Sequence, residues 1–360
     1  MKRVSDKYRL TDNGDVNNHL KADQIHNNDN IIDDKNKQQD RDEYLAFDVA
    51  IVGAGFAGLS AALLLGRYLR PTVIFDGGET RNHTSKHVHG YLGFENSSPK
   101  HIIQKAWKDV LQYDSIKVVK VKIDTIKRSN KNYFLLKTSD GQERTSFRSK
   151  YIIIATGIKD IKPTIKNFEK FDGNGAWHCP HCDGFQTTNK KLAIIALGGE
   201  SISYAKEFLG WTKDITVFIQ QGEKHDNKYR LTDKDKVEAN ALGIDIVEND
   251  SVIEIIGDKK GKPNGVICKS KRLYNAEVIF YHLGYDIQNE LAKQLGCELD
   301  DGHIKINTMQ QTTVPNVYAA GDIDTDRHYV VFAVASGALA AISIYEQMLK
   351  DAIRMQKTRT

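Results

Sequence analysis

Short apolar segments that stop at a glycine or an aspartate alternate along this chain with segments of helical character. Phe47–Val52 is largely apolar and stops at Gly53, and a second apolar run, Thr72–Phe75, stops at Asp76. Residues 56–68 between them are rich in alanine and leucine, which favours a helix. This order predicts a strand, a helix and a second strand in succession.

The next part of the chain predicts one amphipathic helix and a small β element. Apolar side chains recur at helical spacing over residues 100–113, which indicates a helix with one buried face. Three short segments with alternating apolar positions follow, namely Lys117–Ile126, Tyr133–Lys137 and Tyr151–Ala155. Alternation with a period of two is typical of half-buried strands.

A second strand–helix–strand unit begins at Leu192–Ala196. Gly198 and Gly199 follow this run, a helix is predicted through Phe208, and Ile215–Ile219 is the next predicted strand. The similarity to the first unit predicts a second parallel pair of strands joined by a helix.

A third portion begins near Leu283. It contains a strand-like segment, Asn316–Ala320, and a final helix is expected over residues 331–349. Because two similar units are followed by a portion with only one strand, we predict an α/β fold of two Rossmann-like dinucleotide-binding domains. The second domain is expected to be inserted into the first.

Composition narrows the class of protein. Residues 1–44 are rich in asparagine, aspartate, lysine and glutamine and predict a disordered polar tail. The formal net charge is +4, from 51 basic and 47 acidic residues spread along the chain, which argues against a nucleic-acid partner. No apolar run approaches the roughly 18 residues that span a bilayer, and no apolar stretch follows Lys2 and Arg3, so we expect no membrane segment and no secretory signal.

The first glycine-rich turn matches a dinucleotide-binding motif. The sequence Gly53-Ala54-Gly55-Phe56-Ala57-Gly58 has the form G-x-G-x-x-G between a predicted strand and a predicted helix. Its glycines permit a tight turn, a close approach of backbone to pyrophosphate, and close helix–strand packing. The helix start then presents free N–H groups to the anion. Asp76, 18 residues after Gly58, is expected to accept hydrogen bonds from a ribose.

The segment Cys179-Pro180-His181-Cys182, followed by Asp183, carries the most specific chemistry. Two thiols at this spacing close into a reversible disulfide, and such motifs often have a lowered thiol pKa. Zinc is the competing interpretation, but a structural zinc site needs four ligands, usually from two pairs. Only His178 and His181 lie close in sequence, so we predict a redox-active dithiol and no metal site.

The other histidines and cysteines are expected to have ordinary roles. His83, His87 and His89 form a loose cluster, for which we expect a polar loop and not a metal site. Cys268 and Cys297 stand alone and are expected to be buried or partly buried small apolar residues. Four cysteines in a chain of 360 residues do not make a disulfide framework and fit a reducing cytosol.

Two further motifs lie after apolar strands and complete an ordered set of five motifs along the chain. Ala155-Thr156-Gly157 follows one apolar strand, and Tyr318-Ala319-Ala320-Gly321-Asp322 ends another. With the first glycine motif, Cys-x-x-Cys-Asp-Gly and a second glycine turn, all in this order, the chain resembles low-molecular-weight thioredoxin reductases. These are flavoproteins of the FAD/NAD(P)-dependent pyridine nucleotide-disulfide oxidoreductase family, and the resemblance covers residues 46–350.

The resemblance implies domain limits. An FAD domain would comprise residues 45–158 and 284–350, and an NAD(P) domain with the redox dithiol would comprise residues 159–283. Residues 1–44 and 351–360 would be tails. The family further implies a cytoplasmic homodimer whose NAD(P) domain rotates about hinges near residues 157–162 and 281–285.

The resemblance also implies roles for individual residues. Cys182 would face the flavin, Cys179 would attack the partner disulfide, and Asp183 would manage the thiol proton. An acid suits this position because exchange needs a thiolate to attack and a protonated thiol to leave. The residues expected to bind FAD are Gly53, Ala54, Gly55, Phe56, Ala57, Gly58, Asp76, Gly77, Gly78, Arg81, Asn82, His89, Ala155, Thr156, Gly157, Gly321 and Asp322.

The second glycine turn departs from the family pattern. Gly198, Gly199, Glu200 and Ser201 stand where the family places its NADPH turn, but the full G-x-G-x-x-G/A is missing, and Ser201 is expected to cap the helix. The next strand ends without the acid that binds a ribose or the His-Arg-Arg that binds a 2′-phosphate. Basic residues follow that either bind a 2′-phosphate or form a solvated loop: Lys224, His225, Lys228 and Arg230.

The leading hypothesis is an FAD-dependent thiol–disulfide oxidoreductase that reduces a thioredoxin-like protein, or a small disulfide, with NADPH. The electron donor remains open: NADH or a ferredoxin-like protein could replace NADPH, or the protein could use none of these donors. A dithiol oxidase that passes electrons from a small dithiol through FAD to oxygen is the main alternative, although oxidase relatives often carry histidine in place of Asp183. A flavin-binding redox sensor is the non-catalytic alternative.

Overall fold

A computed structural model of the chain describes residues 45–129, 133–138, 146–220, 231–259 and 261–358. The tail predicted for residues 1–44 lies outside the described residues, and so do Lys224, His225, Lys228 and Arg230. The helices are α1 (Phe56–Arg67), α2 (Pro99–Val110), α3 (Phe168–Phe171), α4 (Pro180–Asp183), α5 (Glu200–Lys206), α6 (Asp233–Ala241), α7 (Glu290–Leu295) and α8 (Val330–Lys357), and Gly184–Thr187 forms a 3-10 turn.

The strands are short, and most belong to two sheets, of which the first is mostly parallel and the second wholly parallel. They are β1 (Leu45–Val52), β2 (Thr72–Phe75), β3 (Ile116–Val119), β4 (Ile123–Arg128), β5 (Phe134–Thr138), β6 (Ser146–Ile154), β7 (Ile158–Asp160), β8 (Ala176–Trp177), β9 (Leu192–Leu197), β10 (Ile215–Gln220), β11 (Ile244–Val247), β12 (Val252–Gly257), β13 (Pro263–Cys268), β14 (Leu273–Asn275), β15 (Val278–His282), β16 (Tyr285–Ile287), β17 (Leu299–Asp300), β18 (His303–Ile304) and β19 (Val317–Ala319).

The first domain is built on a seven-stranded sheet with the order β3-β2-β1-β6-β5-β4, in which β19 also pairs with β6. Strands β3, β2, β1, β6 and β19 are parallel, and β5 and β4 continue the sheet in the antiparallel sense. The parallel strands therefore end at one edge of the sheet. Gly53, Asp76, Ala155 and Ala320 follow their last residues at this carboxyl edge, where ligands of such sheets bind.

The first predicted strand–helix–strand unit is present, with β2 at the expected residues. The three segments that we expected to form a small β element are strands of the main sheet. Ile116–Val119 and Ser146–Ile154 pair with β2 and β1 and belong to the main sheet. For β6 the reason is burial on both faces, since Ile152 and Ile154 contribute to one core cluster and Ile153 to the other; β3 is a partly buried strand at the edge of the sheet.

The inserted domain carries the second sheet. Its five strands are parallel, in the order β11-β10-β9-β15-β8, and a three-stranded antiparallel sheet, β12-β13-β14, lies beside it. Helix α5 ends at Lys206, before the expected Phe208, because the chain there turns with short-range bonds. Strands of the first sheet precede and follow this domain along the chain, so the predicted fold class of two Rossmann-like domains, one inserted into the other, is confirmed.

The last helix, α8, continues to Lys357, so part of the tail expected for residues 351–360 is helical. By length and composition alone, α8 is apolar enough to cross a membrane, which our sequence prediction did not anticipate. It packs against α1 through small residues, and a Cβ on Gly337 would overlap the backbone of Ala57. The hydroxyl of Ser60 also donates to the carbonyl of Val334 at 2.7 Å. This close crossing makes α8 a core helix of the first domain.

Two short strands connect the domains. β7 and β16 pair in the antiparallel sense, with Asp160 opposite Tyr285. Both lie within or beside the predicted hinge segments, residues 157–162 and 281–285. The hinge rotation itself stays a prediction.

Candidate active site

A cleft of about 1170 Å³ opens between the carboxyl edge of the first sheet and the inserted domain. Its volume exceeds the range of about 300–1,000 Å³ that is usual for small-molecule sites, which leaves room for a dinucleotide. The residues predicted from sequence that line it are Gly53, Ala54, Gly55, Phe56, Ala57, Asp76, Gly77, Gly78, Arg81, Asn82, His89, Ala155, Thr156, Gly157, Cys179, Cys182, Asp183, Gly321 and Asp322.

The first glycine turn has the geometry that its motif requires. Gly53 has a φ of +110°, and a Cβ there would overlap the carbonyl oxygen of Ala155. A Cβ on Gly58 would overlap the carbonyl oxygen of Gly53, so Gly58 serves packing and does not line the cleft. A Cβ on Gly55 would meet open space. The backbone at Gly55 can therefore be approached closely by a ligand in the cleft.

The histidine His328 gives a second indication that a ligand fits the cleft. It lines the cleft, and its Nε2 is buried without a hydrogen-bond partner among the described residues. Burial and the positive charge of Arg81 lower its pKa, so the imidazole is neutral. An unpaired buried nitrogen is costly, and a polar atom of a bound cofactor would satisfy it. The residues present therefore fit FAD.

The cysteines form a disulfide at the start of a very short helix. Cys179 precedes α4 and Cys182 lies in it, with their Cα atoms 5.3 Å apart. Pro180 occupies the first helical position, where its missing N–H costs nothing. The N–H of Cys182 donates to the Sγ of Cys179 at 3.1 Å. The disulfide thus opens into the same cleft as the first glycine turn.

The carboxyl of Asp183 lies beside this disulfide in a largely buried position. Burial raises its pKa to about 6, and the nearby imidazoles of His89 and His87 oppose this rise. His89 is held by Glu95, whose Oε1 lies 2.7 Å from His89 Nδ1. A carboxyl group whose pKa is near neutrality can take up and release a proton under ordinary conditions.

Arg81 does not lie free to contact a ligand. Its Nε and one terminal nitrogen each donate to Asp160 at 2.7 Å, and its other terminal nitrogen donates to Asp322 at 3.1 Å. Sequence reasoning missed Asp160, together with two residues connected to it, His178 and Tyr281. Asp160 follows Ala155-Thr156-Gly157 closely, but no periodicity or motif marks it as a charged partner of Arg81.

The second glycine turn lies away from this cleft, at the end of β9. Gly198, Gly199, Glu200 and Ser201 do not line the cleft. The prediction that Ser201 caps the helix is wrong, because Gly199 is the N-cap and the Ser201 hydroxyl is buried without a partner in the described part of the chain. The Glu200 carboxylate lies in the first helical turn and 3.7 Å from His282. A negative charge there opposes the binding of pyrophosphate.

The two remaining cysteines lie outside the cleft. Cys268 and Cys297 are free and buried, as predicted, and burial raises the pKa of both thiols. Among the described residues, no group of three histidine, cysteine or acidic side chains is arranged to hold a metal ion.

Comparisons with known proteins agree with this geometry. A family model described as "Pyridine nucleotide-disulphide oxidoreductase" matches residues 47–340. "Thioredoxin reductase sirT" of Leptosphaeria maculans is 26% identical over 84% of this chain and 94% of its own. "Thioredoxin reductase" of Helicobacter pylori is 27% identical over 82% and 97%. The crystal structure of a putative thioredoxin reductase TrxB from Bacillus anthracis, 25% identical, covers 84% of this chain and 99% of its own with a TM-score of 0.75.

Proposed function

The chain belongs to the pyridine nucleotide-disulphide oxidoreductase family, and from this premise we propose that it reduces a thioredoxin-like protein disulfide with NADPH. The family makes it a disulfide oxidoreductase and implies FAD and a pyridine nucleotide. The identity of the donor and of the protein substrate is our proposal. The observation that carries it is the Cys179–Cys182 disulfide, which opens with the partly buried Asp183 into the cleft of the first glycine turn.

The first domain supplies the groups that would hold FAD. The turn at Gly53–Gly58 would hold the pyrophosphate with backbone N–H groups, and Asp76 would accept hydrogen bonds from the ribose hydroxyls. Gly321 and Asp322 would lie along the ribityl and phosphate region. FAD supplies a carrier that takes two electrons from a nicotinamide and gives them to a disulfide.

The chemistry at the dithiol is an exchange of two electrons and two protons. When the Cys179–Cys182 bond accepts two electrons, it breaks and leaves two sulfur atoms that take up two protons to become thiols. The thiolate of Cys179 then attacks the partner disulfide and releases one partner thiol, and Cys182 attacks the mixed disulfide and releases the other. The partner leaves as a dithiol and the Cys179–Cys182 disulfide is restored.

Asp183 is the group that we assign to the proton transfers. Its pKa of about 6 lies closer to neutrality than that of an exposed aspartate, so it can protonate the leaving thiolate and later accept the proton back. Its position directly after Cys182 and its burial support this role. His89 also lines the cleft, and its Nδ1 lies 2.7 Å from Glu95 Oε1.

We propose that residues 45–158 and 284–350 form the FAD domain and that residues 159–283 form the NAD(P) domain. A disulfide that lies in the FAD cleft is not open to a protein partner at the same time. We therefore propose that the NAD(P) domain turns about β7 and β16 between reduction and exchange. We further propose a cytoplasmic location and a homodimer; exposed apolar side chains on α8, such as Phe332 and Ile353, support the dimer.

An anaerobic titration of the FAD-loaded protein tests the donor and the direction of electron flow. NADPH, NADH and a small dithiol are added separately, and the loss of flavin absorbance is followed. Rapid bleaching by NADPH, with subsequent reduction of a thioredoxin, supports the proposal. If the dithiol bleaches the flavin and NADPH does not, the proposal is overturned.

A second candidate function, a dithiol oxidase, is favoured by the second glycine turn. The carboxylate of Glu200 and the missing glycine pattern at Leu197-Gly198-Gly199 weaken that turn as a pyrophosphate site. In this alternative a small dithiol transfers two electrons and two protons to the enzyme, and molecular oxygen accepts them to give hydrogen peroxide. Oxygen uptake with a dithiol and without nicotinamide would identify this activity.

A further inference from the structure

An exposed imidazole stands between the two cysteines of the disulfide. His181 lies in α4, two residues after Cys179 and directly before Cys182, and its side chain is 59% exposed. Its Nε2 lies 3.0 Å from Oε2 of Glu207, the residue that directly follows α5. The two side chains therefore form an imidazole–carboxylate pair beside the dithiol.

The chain itself limits the separation between His181 and the sulfur of Cys179. Residues two apart along a chain have Cα atoms at most about 7.6 Å apart, and α4 is compact, since the Cα atoms of Cys179 and Cys182 are 5.3 Å apart. Charges on these two side chains are then separated by on the order of 8 Å, a distance at which they still interact. A protonated imidazole at position 181 therefore favours the thiolate of Cys179 over the thiol.

Glu207 holds the imidazole of His181 by one nitrogen only. With Nε2 donating to the carboxylate, Nδ1 is the nitrogen that gains or loses the second proton. When both nitrogens are protonated, the contact is an ion pair. Histidine side chains change their charge between about pH 5 and pH 8, so the effect on Cys179 is present in acid and absent in alkali.

Two further titratable groups lie near the pair or the dithiol. The ring of Tyr329, directly before α8, has its centroid 5.9 Å from that of His181. Burial and the charge of Glu207 raise the pKa of Tyr329, so its phenol is neutral over this range and adds no charge. Burial raises the pKa of Asp183 to about 6, and the imidazoles that oppose this rise belong to the first domain.

His181, Glu207 and Cys179 all belong to the inserted domain. A group that assists the exchange with a partner protein must remain beside Cys179 when the dithiol leaves the flavin. His181 and Glu207 meet this requirement because they move with the dithiol, whereas the imidazoles of the first domain do not.

We propose that His181, held by Glu207, supplies the positive charge that keeps Cys179 a thiolate during exchange with the partner. The thiol gives its proton to solvent, and the charged imidazole stabilises the anion that remains, without forming a bond to it. Glu207 is a positioning residue, since it acts through His181. The proposal rests on the proposed function, because it concerns the thiolate that would attack the partner disulfide.

The rate of alkylation of Cys179 at two pH values tests this assignment. The FAD-loaded protein is reduced with a dithiol, freed of that dithiol without oxygen and treated with iodoacetamide, and peptide masses identify the sulfur that reacts. For each variant the ratio of the rates at pH 6 and pH 9 is taken, because it cancels differences in access to the sulfur. We expect His181→Gln to lower this ratio about threefold, and the difference to shrink at high salt.

Further variants separate charge from shape. His181→Lys restores a positive charge without the imidazole, so its ratio should be at least that of the parent. Glu207→Gln removes the partner of the imidazole and should lower the ratio in the same direction. The double variant with His181→Gln should not fall below His181→Gln alone, because Glu207 acts through His181. His101→Gln, which removes an exposed imidazole on α2 outside the cleft, is the control and should leave the ratio unchanged.

The outcomes distinguish this proposal from the proposed function. A lower ratio in His181→Gln that His181→Lys restores supports the proposal, and an unchanged ratio in His181→Gln overturns it. An equal loss in His181→Gln and His181→Lys shows that the shape of the side chain is the cause, and this also overturns it. A double variant below His181→Gln alone overturns the role of Glu207. The proposed function is tested separately by reduction of the flavin in the parent protein, which NADPH must achieve whatever the charge at position 181.

Discussion

The backbone N–H of Cys182 donates a hydrogen bond to the Sγ of Cys179 at 3.1 Å. A donor at this position stabilises negative charge on Cys179 once the disulfide is reduced, and so favours its thiolate. Cys182 differs from Cys179, because it is followed directly by the partly buried carboxyl of Asp183. The pair is therefore asymmetric, with Cys179 suited to attack a disulfide and Cys182 suited to exchange a proton.

This asymmetry predicts different behaviour of the two serine variants. Cys182→Ser leaves the attacking thiol without its resolving partner, so we expect a mixed disulfide with an oxidised thioredoxin that persists once the thiol released from the thioredoxin is alkylated. Cys179→Ser should not form this adduct at a comparable rate. Both variants should lose at least about 100-fold in turnover, since the two sulfurs act as one unit. Mass spectrometry of the unreduced mixture detects the adduct.

A matched control for these variants is Cys268→Ala, which removes a free buried thiol outside the cleft. It should turn over normally and form no adduct. If Cys179→Ser gives the stable adduct and Cys182→Ser does not, the assignment of attacking and resolving thiols is reversed.

Replacement of Asp183 should separate stability from activity. Burial raises the pKa of this carboxyl to about 6 in the folded state, from about 3.9 in the unfolded chain. The folded state then binds more protons between these values, so the free energy of unfolding falls as the pH rises from about 4 to 6 and is level above. Asp183→Asn removes this loss, and we expect it to be more stable at pH 8, by an amount on the order of 3 kcal/mol.

The same variant should be a poor catalyst, because an amide neither gives nor accepts the thiol proton. We expect its rate to fall by about 10²–10⁴ and the step near pH 6 in the parent's pH–rate profile to vanish. Thermal unfolding at pH 4 and pH 8, with Asp245→Asn as an exposed control, measures the stability part. A variant that is less stable at pH 8 than the parent contradicts the cause given for the raised pKa.

Substitutions at two glycines of the first turn should affect cofactor binding and folding differently. A Cβ on Gly55 meets open space on the cleft side, whereas one on Gly58 overlaps the carbonyl oxygen of Gly53. We expect Gly55→Val to reduce the flavin content at least about tenfold without lowering the melting temperature of the flavin-free protein. Gly58→Ala should lower that melting temperature. Equal loss of stability in both variants would show that the turn serves packing alone.

The sequence predicted the repeated part of the fold better than the contacts between domains. Local motifs, whose geometry is set within a few residues, contain Gly53, Gly55, Gly58, Asp76 and the two cysteines. All of these except Gly58 line the cleft, and the sequence predicted each of them as a site residue. Asp160 was missed because its role depends on Arg81, which lies 79 residues before it. Ser201 was misjudged as a cap because tertiary packing buries its hydroxyl.

The strand boundaries show the same limit. β2 was predicted at its observed residues, Thr72–Phe75, because a short apolar run is bounded by a turn and an acid. The segments Lys117–Ile126 and Tyr151–Ala155 were assigned to a small β element, because alternation and apolarity do not reveal which strands pair; the observed strands there include β3 and β6. Their positions at the edge and the centre of the first sheet follow from tertiary pairing with β2 and β1.

The carboxylate of Glu200 discriminates between the two candidate functions. It lies in the first turn of α5, at the end of β9, where a nucleotide pyrophosphate would approach in the proposed reductase. Removing one negative charge from that approach is worth on the order of 1 kcal/mol in water. For a reductase that uses NADPH, we therefore expect Glu200→Gln to lower the KM for NADPH by roughly threefold to tenfold, less at high salt.

The matched control is Glu277→Gln, which removes an acid at the opposite, amino edge of the same sheet, just before β15. It should leave the KM for NADPH unchanged, because the charge is remote from the turn. In a dithiol oxidase, Glu200→Gln would alter neither the rate of flavin reduction by dithiols nor the oxygen uptake. If NADPH fails to reduce the flavin in the parent and in Glu200→Gln alike, the second glycine turn is not an NADPH site, and the proposed donor is overturned.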